Sequence, residues 1–166
     1  FVPSRGLGDV YKRQELGSRY MSFNTRQFPG SNKAFRQAVA CIIDRDFVIN
    51  SVLMGAARRM NGQISAALTA WVAPLTGPLA DCQALDTVEK WEKSVEILQN
   101  GGWTADDWGS HPGDAERAVA PTGLKGPNGE VPPSDVLIYT PTAGYDPLRN
   151  TFSLFIADYM QQLGFD

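Results

Sequence analysis

Few side chains in this chain can do proton or metal chemistry. The one histidine, His111, stands in the run Ser110-His111-Pro112. As the base of a nucleophilic triad it would need a Ser or Cys on a sharp strand-to-helix elbow, and none lies nearby. His111 therefore reads as a solvated loop residue. Cys41 and Cys82 are the two cysteines, far apart and without CxxC spacing, so a closed zinc site with clustered Cys/His ligands cannot be assembled. Cys41 lies inside the apolar run Ala38 to Ile43 and reads as a small buried hydrophobe. A Cys41–Cys82 disulfide stays open, because sequence does not reveal the geometry it needs.

Two carboxylate pairs, Asp44/Asp46 and Asp106-Asp107, have the chemistry for acid–base work or for holding a cation. No calcium-loop pattern surrounds either pair. Asp44 is explained more economically as a helix cap, and Asp106-Asp107 as a solvated loop pair. Of Trp71, Trp91, Trp103 and Trp108, Trp91 falls on a helical apolar face. Trp103 and Trp108 lie in a loop and could stack on a ligand or on the core. Gly6-Leu7-Gly8 lacks the third glycine and the preceding strand of a dinucleotide loop. No catalytic residue, metal site or cofactor is expected.

The elements that would position these residues follow from periodicity. Arg19 to Asn24 alternates and carries aromatics, so it reads as a strand, and Pro29-Gly30 then makes a turn. Phe35, Ala38, Val39, Ile42 and Ile43 form a helical stripe, resumed after Asp44 by Phe47, Val48, Val52 and Leu53. That is two consecutive helices, or one helix broken at Asp44-Arg45-Asp46. Asp86 with Glu89 predicts a capping box, Val88, Trp91, Val95 and Leu98 the face behind it, and Asn100-Gly101-Gly102 the end.

The Gly/Pro-rich stretch 103–133 reads as a long loop, shortened by a hairpin at Pro127-Asn128-Gly129 between 123–125 and 130–131. Asp135 to Thr140 reads as a buried strand. Asp146-Pro147 opens a last helix with the face Phe152, Phe155, Ile156, Tyr159, Met160 and Leu163, closed by Gly164. The order predicts an α/β layer fold, helices packed on a mixed sheet, with few strands of its own.

Fifteen Lys/Arg against eighteen Asp/Glu give a net charge of -3, and no basic run exceeds a pair. Nucleic-acid or anionic membrane binding would want a concentrated positive stripe. The longest apolar run is far below the roughly 20 residues that span a bilayer. Hydrophobic residues at 43% and charged residues at 20% are globular values, against disorder. Residues 1–14, FVPSRGLGDVYKRQ, read as an adaptor- or vector-derived scar. The other end, Leu163-Gly164-Phe165-Asp166, stops where a strand is expected, which suggests a truncated reading frame.

One ordered series says more. Tyr20-Met21-Ser22-Phe23-Asn24-Thr25, a turn at Pro29, Phe35-Arg36-Gln37-Ala38-Val39, Ile43-Asp44-Arg45-Asp46 and a helix ending at Gly55 resemble the extracytoplasmic solute-binding proteins of ABC importers, family 5. That family includes dipeptide-, oligopeptide- and nickel-binding members. Glu96-Ile97-Leu98 with Gly102-Trp103, Gly126 to Glu130, and Gly144-Tyr145-Asp146-Pro147-Leu148-Arg149 with Gln162-Leu163-Gly164 extend the likeness over about residues 19–166. Asn32-Lys33-Ala34-Phe35-Arg36 stands where the family usually carries Asp-x-x-Val-Arg, and the proline link is longer by Gly30-Ser31.

The resemblance implies part of one lobe of a two-lobed periplasmic-binding-protein fold. Residues 15–24 would be the crossover strand near the hinge, and 25–166 the first part of the second lobe. It implies a non-enzymatic, substrate-binding component that takes a peptide or similar small solute and delivers it to ABC permease subunits. Tyr20 and Asn24 would be ligand-binding residues on the hinge side of the cleft. Location would be periplasmic or extracytoplasmic, with a lipoprotein anchor compatible, and the full-length chain a monomer without nucleic-acid partners. The alternative from another class is a small hydrolase or a carbohydrate-binding module with a Trp-lined loop.

Overall fold

Asn32 starts the first helix by accepting the Phe35 amide on Oδ1 at 3.0 Å, which satisfies one of the donors that every helix start leaves open. The computed structural model describes residues 18–62, 64, 68–113 and 116–166; the stretch 1–14 read as a scar lies outside the described residues. Helix α1 (Lys33–Ile42) buries Ala34, Phe35, Ala38, Val39, Cys41 and Ile42, the stripe its spacing predicts. Asp44 then accepts the amides of Asp46 and Phe47, both at 3.0 Å. The broken stripe is thus two helices. α2 (Arg45–Phe47) is a single turn that widens into a π-type turn over Val48–Val52, and Gly55 follows at φ 76°.

The short α3 (Pro78–Asp81) brings Cys82 beneath α1, where it is joined to Cys41 in a disulfide with a Cα–Cα distance of 5.3 Å. That settles the pairing that sequence left open. α4 (Thr87–Asn100) opens with both arms of the capping box, Glu89 N to Asp86 Oδ1 at 2.8 Å and Asp86 N to Glu89 Oε2 at 3.1 Å. α1 and α4 form the main helix pair. Ser94 is fully buried between them, its Oγ 3.1 Å from Ala38 O and 2.7 Å from Lys90 O. At the end of α4 a Cβ on Gly101 would lie 2.2 Å from the Ala34 Cβ, so glycine sets how closely the helices approach.

Asp146 caps α5 (Pro147–Gln162) through the Arg149 amide at 3.0 Å, with Pro147 in the first turn. Its far end docks firmly. Met160 and Leu163 are buried, and the Trp91 indole donates to Gln162 O at 2.8 Å. Phe152, Phe155, Ile156 and Tyr159, expected on the same face, are only half-buried. Phe23, Phe28, Phe35, Trp103 and Phe165 form an aromatic cluster with centroids 4.8 to 6.5 Å apart. The Trp103 indole donates to Asn32 Oδ1 at 3.2 Å, so Trp103 belongs to the core.

The expected helices-on-a-mixed-sheet architecture is corrected here. Among the described residues there is no strand: 19–24 and 135–140 run without regular structure, and Val136 N–H meets Asp166 O only singly. The β-structure amounts to three isolated antiparallel bridges, Thr104↔Lys125, Asp107↔Thr122 and Ser110↔Val119. They fold the Gly/Pro-rich stretch back on itself, and a Cβ on Gly109 would meet Val119 O at 2.0 Å. The Pro127-Asn128-Gly129 turn closes through Gly126 N to Glu130 O at 2.7 Å, but Lys125 pairs with Thr104 and not with 130–131. The physical reason is general: β-propensity measures fit to neighbouring strands, so a strand-like pattern without a ladder partner has nothing to hold it.

Candidate functional site

Tyr20 and Asn24, the two residues expected on the ligand side, have different surroundings. Tyr20 is 84% exposed. Its position is fixed by its neighbour: Arg19 Nη2 lies 3.4 Å from Asp146 Oδ2, and its guanidinium 5.9 Å from the Phe152 ring centroid. This holds the 18–20 segment against the start of α5. Asn24 spends its side chain on its own turn, donating to Gln27 Oε1 at 2.9 Å and accepting the Arg26 amide at 3.1 Å. A Cβ on Gly30 would come within 2.4 Å of Asn24 O, so the turn folds tightly onto that residue.

The start of α5 gathers groups that sequence reasoning did not single out. Asp146 Oδ2 receives Arg149 Nε at 3.1 Å as well as Arg19, so one carboxylate serves two guanidinium groups. Tyr145 (82% exposed) precedes it, and Tyr139 (91% exposed) lies just upstream. The run Tyr145-Asp146-Pro147-Leu148-Arg149 was read for its cap and for the family likeness, and not for these contacts. On the opposite helix pair, an open groove of about 450 Å³ is lined by Asn32, Lys33, Gln37, Asp81, Lys93 and Glu96. Lys93 and Glu96 pair at 2.8 Å, which holds the lysine above and the glutamate below their ordinary pKa ranges.

A second charged cluster surrounds α2. Lys90 is buried, and its Nζ lies 3.3 Å from Asp44 Oδ2. Arg59 binds Asp46 through both carboxylate oxygens and also donates to Gln83 O at 3.3 Å. Arg45 donates to Met60 O at 3.2 Å, and burial, then the nearby Arg59 cation, hold its pKa below the usual arginine value. The Tyr159 phenol is raised, first by burial and then by the Asp44 and Asp158 carboxylates.

His111 is a correction. It is half-buried, its ring 6.1 Å from that of Trp91, and its Nδ1 is buried with no hydrogen-bond partner. It packs against the core where a solvated residue was expected. Asp106 and Asp107 are exposed, and Asp107 Oδ1 accepts the Gly109 amide at 2.9 Å. Among the described residues no group of three or more His, Cys, Asp or Glu could hold a metal, and no helix is long and apolar enough to cross a membrane.

The family model for bacterial extracellular solute-binding proteins, family 5 (middle region), matches residues 4–166. The match takes in both strand-like segments, the helices and the Gly/Pro-rich ribbon. The chain belongs to the bacterial extracellular solute-binding proteins, family 5. Comparison with curated proteins and with solved structures gives no significant match.

Proposed function

We propose that the chain is the substrate-binding component of an ABC-type importer, taking a peptide or similar small solute for delivery to membrane permease subunits. The family match over residues 4–166 carries this reading. Residues 15–24, of which 15–17 lie outside the described residues, act as the crossover near the hinge and 25–166 as part of the second lobe, with Tyr20 and Asn24 on the cleft side. The exposed Tyr20 ring, held beside Arg19 and the α5 start, is available to stack on a solute. Ligand contacts made by both lobes favour the closed state by their own free energy, so binding and closure are one equilibrium. The chain turns nothing over, acts as a monomer at full length, and works outside the cytoplasm. The Cys41–Cys82 bridge supports that location, because such bonds persist in oxidising compartments.

Titration calorimetry with di-, tri- and tetrapeptides, a sugar panel and a nickel chelate tests the reading. Saturable peptide binding weakened by Tyr20→Ala supports it. Hydrolysis of any of these solutes that is sensitive to His111→Ala would overturn it. The Trp-lined-loop alternative is weakened because Trp103 lies in the core.

A further inference from the structure

We propose that Arg45 forms a site for a small oxyanion, a carboxylate or phosphate group, where α2 meets the 58–62 loop and Arg59 stands beside it. The argument is a matching of charges. Five charged groups meet at α2 and this loop: Arg45, Arg59 and Lys90 against Asp44 and Asp46. Asp44 is fully engaged, with Oδ1 taking two backbone amides and Oδ2 taking Lys90. Asp46 is engaged by Arg59 through both oxygens. Arg45 is left with a carbonyl, Met60 O, and no carboxylate within ion-pair distance among the described residues.

A guanidinium has five N–H donors in a fixed fork. Holding it half-buried without a counter-charge is costly. Met60 adjoins Arg59 in the chain, so the bond from Arg45 to Met60 O also brings two cations together. Burial first, and then the Arg59 cation, hold the Arg45 pKa below its usual value. An oxyanion accepting from the Arg45 fork would satisfy its idle donors and give Arg45 the counter-charge that Asp46 gives Arg59. The surrounding chain is acidic, at net -3, so the positive charge is local and suits a small anion. The site is separate from Tyr20 and Asn24 and does not depend on how the solute is read.

The test is thermal unfolding followed by tryptophan fluorescence at pH 7 and fixed ionic strength, with sodium chloride replaced stepwise by sodium phosphate or by sodium acetate. The wild-type chain should gain about 3–6 °C at ten times the half-saturating anion concentration. In Arg45→Gln that concentration should rise at least about tenfold, with Arg45→Lys intermediate. A response to phosphate alone or acetate alone identifies which oxyanion the site takes. Tyr20→Ala should leave the response unchanged, which separates this site from solute binding. Equal responses in wild type and Arg45→Gln would overturn the proposal, as would chloride matching both oxyanions. If Arg45→Gln does not fold, ¹H–¹⁵N spectra of the wild-type arginine side chains decide: the Arg45 Nε–H resonance must move on adding phosphate, and a fixed resonance overturns the site.

Discussion

Reducing the Cys41–Cys82 bridge should cost this chain a large part of its stability. The bond spans 41 residues of sequence. In the chain-entropy description, opening a loop of that length returns about 13 cal/mol/K to the unfolded state, or about 4 kcal/mol at 25 °C. The middle of the segment it closes is loosely packed, since Met54 and Trp71 are 89% and 73% exposed. Its side-chain ties include Arg59 to Asp46, Arg45 to Met60 and Gln83 to Asn61. With a urea slope of about 2 kcal/mol/M the midpoint should fall by about 2 M on reduction.

The assay is urea unfolding of one preparation, oxidised or with reductant, read by tryptophan fluorescence. Thiol titration in denaturant should count no free thiols before reduction and two after. Cys41→Ala/Cys82→Ala should behave like the reduced chain, with a further loss from the two buried sulfurs. An unchanged midpoint on reduction, or free thiols in the oxidised denatured chain, would refute the reasoning.

Three further outcomes follow from packing and charge. Asp44→Ala should cost about 3–5 kcal/mol in urea unfolding, because it leaves Lys90 buried and unpaired and removes the α2 cap; Lys90→Met should cost clearly less, and the reverse order would contradict the pairing. Gly101→Ala should lose about 1–3 kcal/mol, since its Cβ would overlap that of Ala34, whereas Gly129→Ala, which meets no neighbour, should show only the smaller strain of its positive φ. Tyr159 ionises less readily folded than unfolded, so its contribution is complete below about pH 10 and is lost as pH rises through the raised folded value. Urea midpoints between pH 8 and 11 should therefore fall more steeply in wild type than in Tyr159→Phe, and parallel profiles would count against it.

What could be read in advance was what local chemistry decides. Asp86 with Glu89, Asp44, and Asp146-Pro147 each sit within a few residues of the amides they cap, so all three starts were legible. The stripe from Phe35 to Ile42 was legible because a helix makes its own hydrogen bonds. The strand-like segments 19–24 and 135–140 failed for the opposite reason, since a strand takes its bonds from elsewhere in the fold. Trp91 and Trp103 look alike as residues, and only spacing assigned the first, while Trp103 needed Asn32 and Phe28 beside it. The Lys90–Asp44 pair, the carboxylate-free Arg45 and the Arg19 contact with α5 all join residues distant in sequence. The sequence pattern carried no sign of them. Tyr20 was legible as an aromatic but not as an exposed one.

The bond from the Trp91 indole to Gln162 O ties α4 to the last turn of α5, with His111 edge-on to the same ring. Trp91 is therefore a built-in optical gauge of that joint. Trp91 and Trp103 are buried while Trp71 is open to solvent, so an aqueous quencher such as iodide can silence Trp71 first and leave emission weighted toward the joint. Any solute, partner or solvent change that loosens the end of α5 would then register as a red shift in the protected fraction, with no label attached.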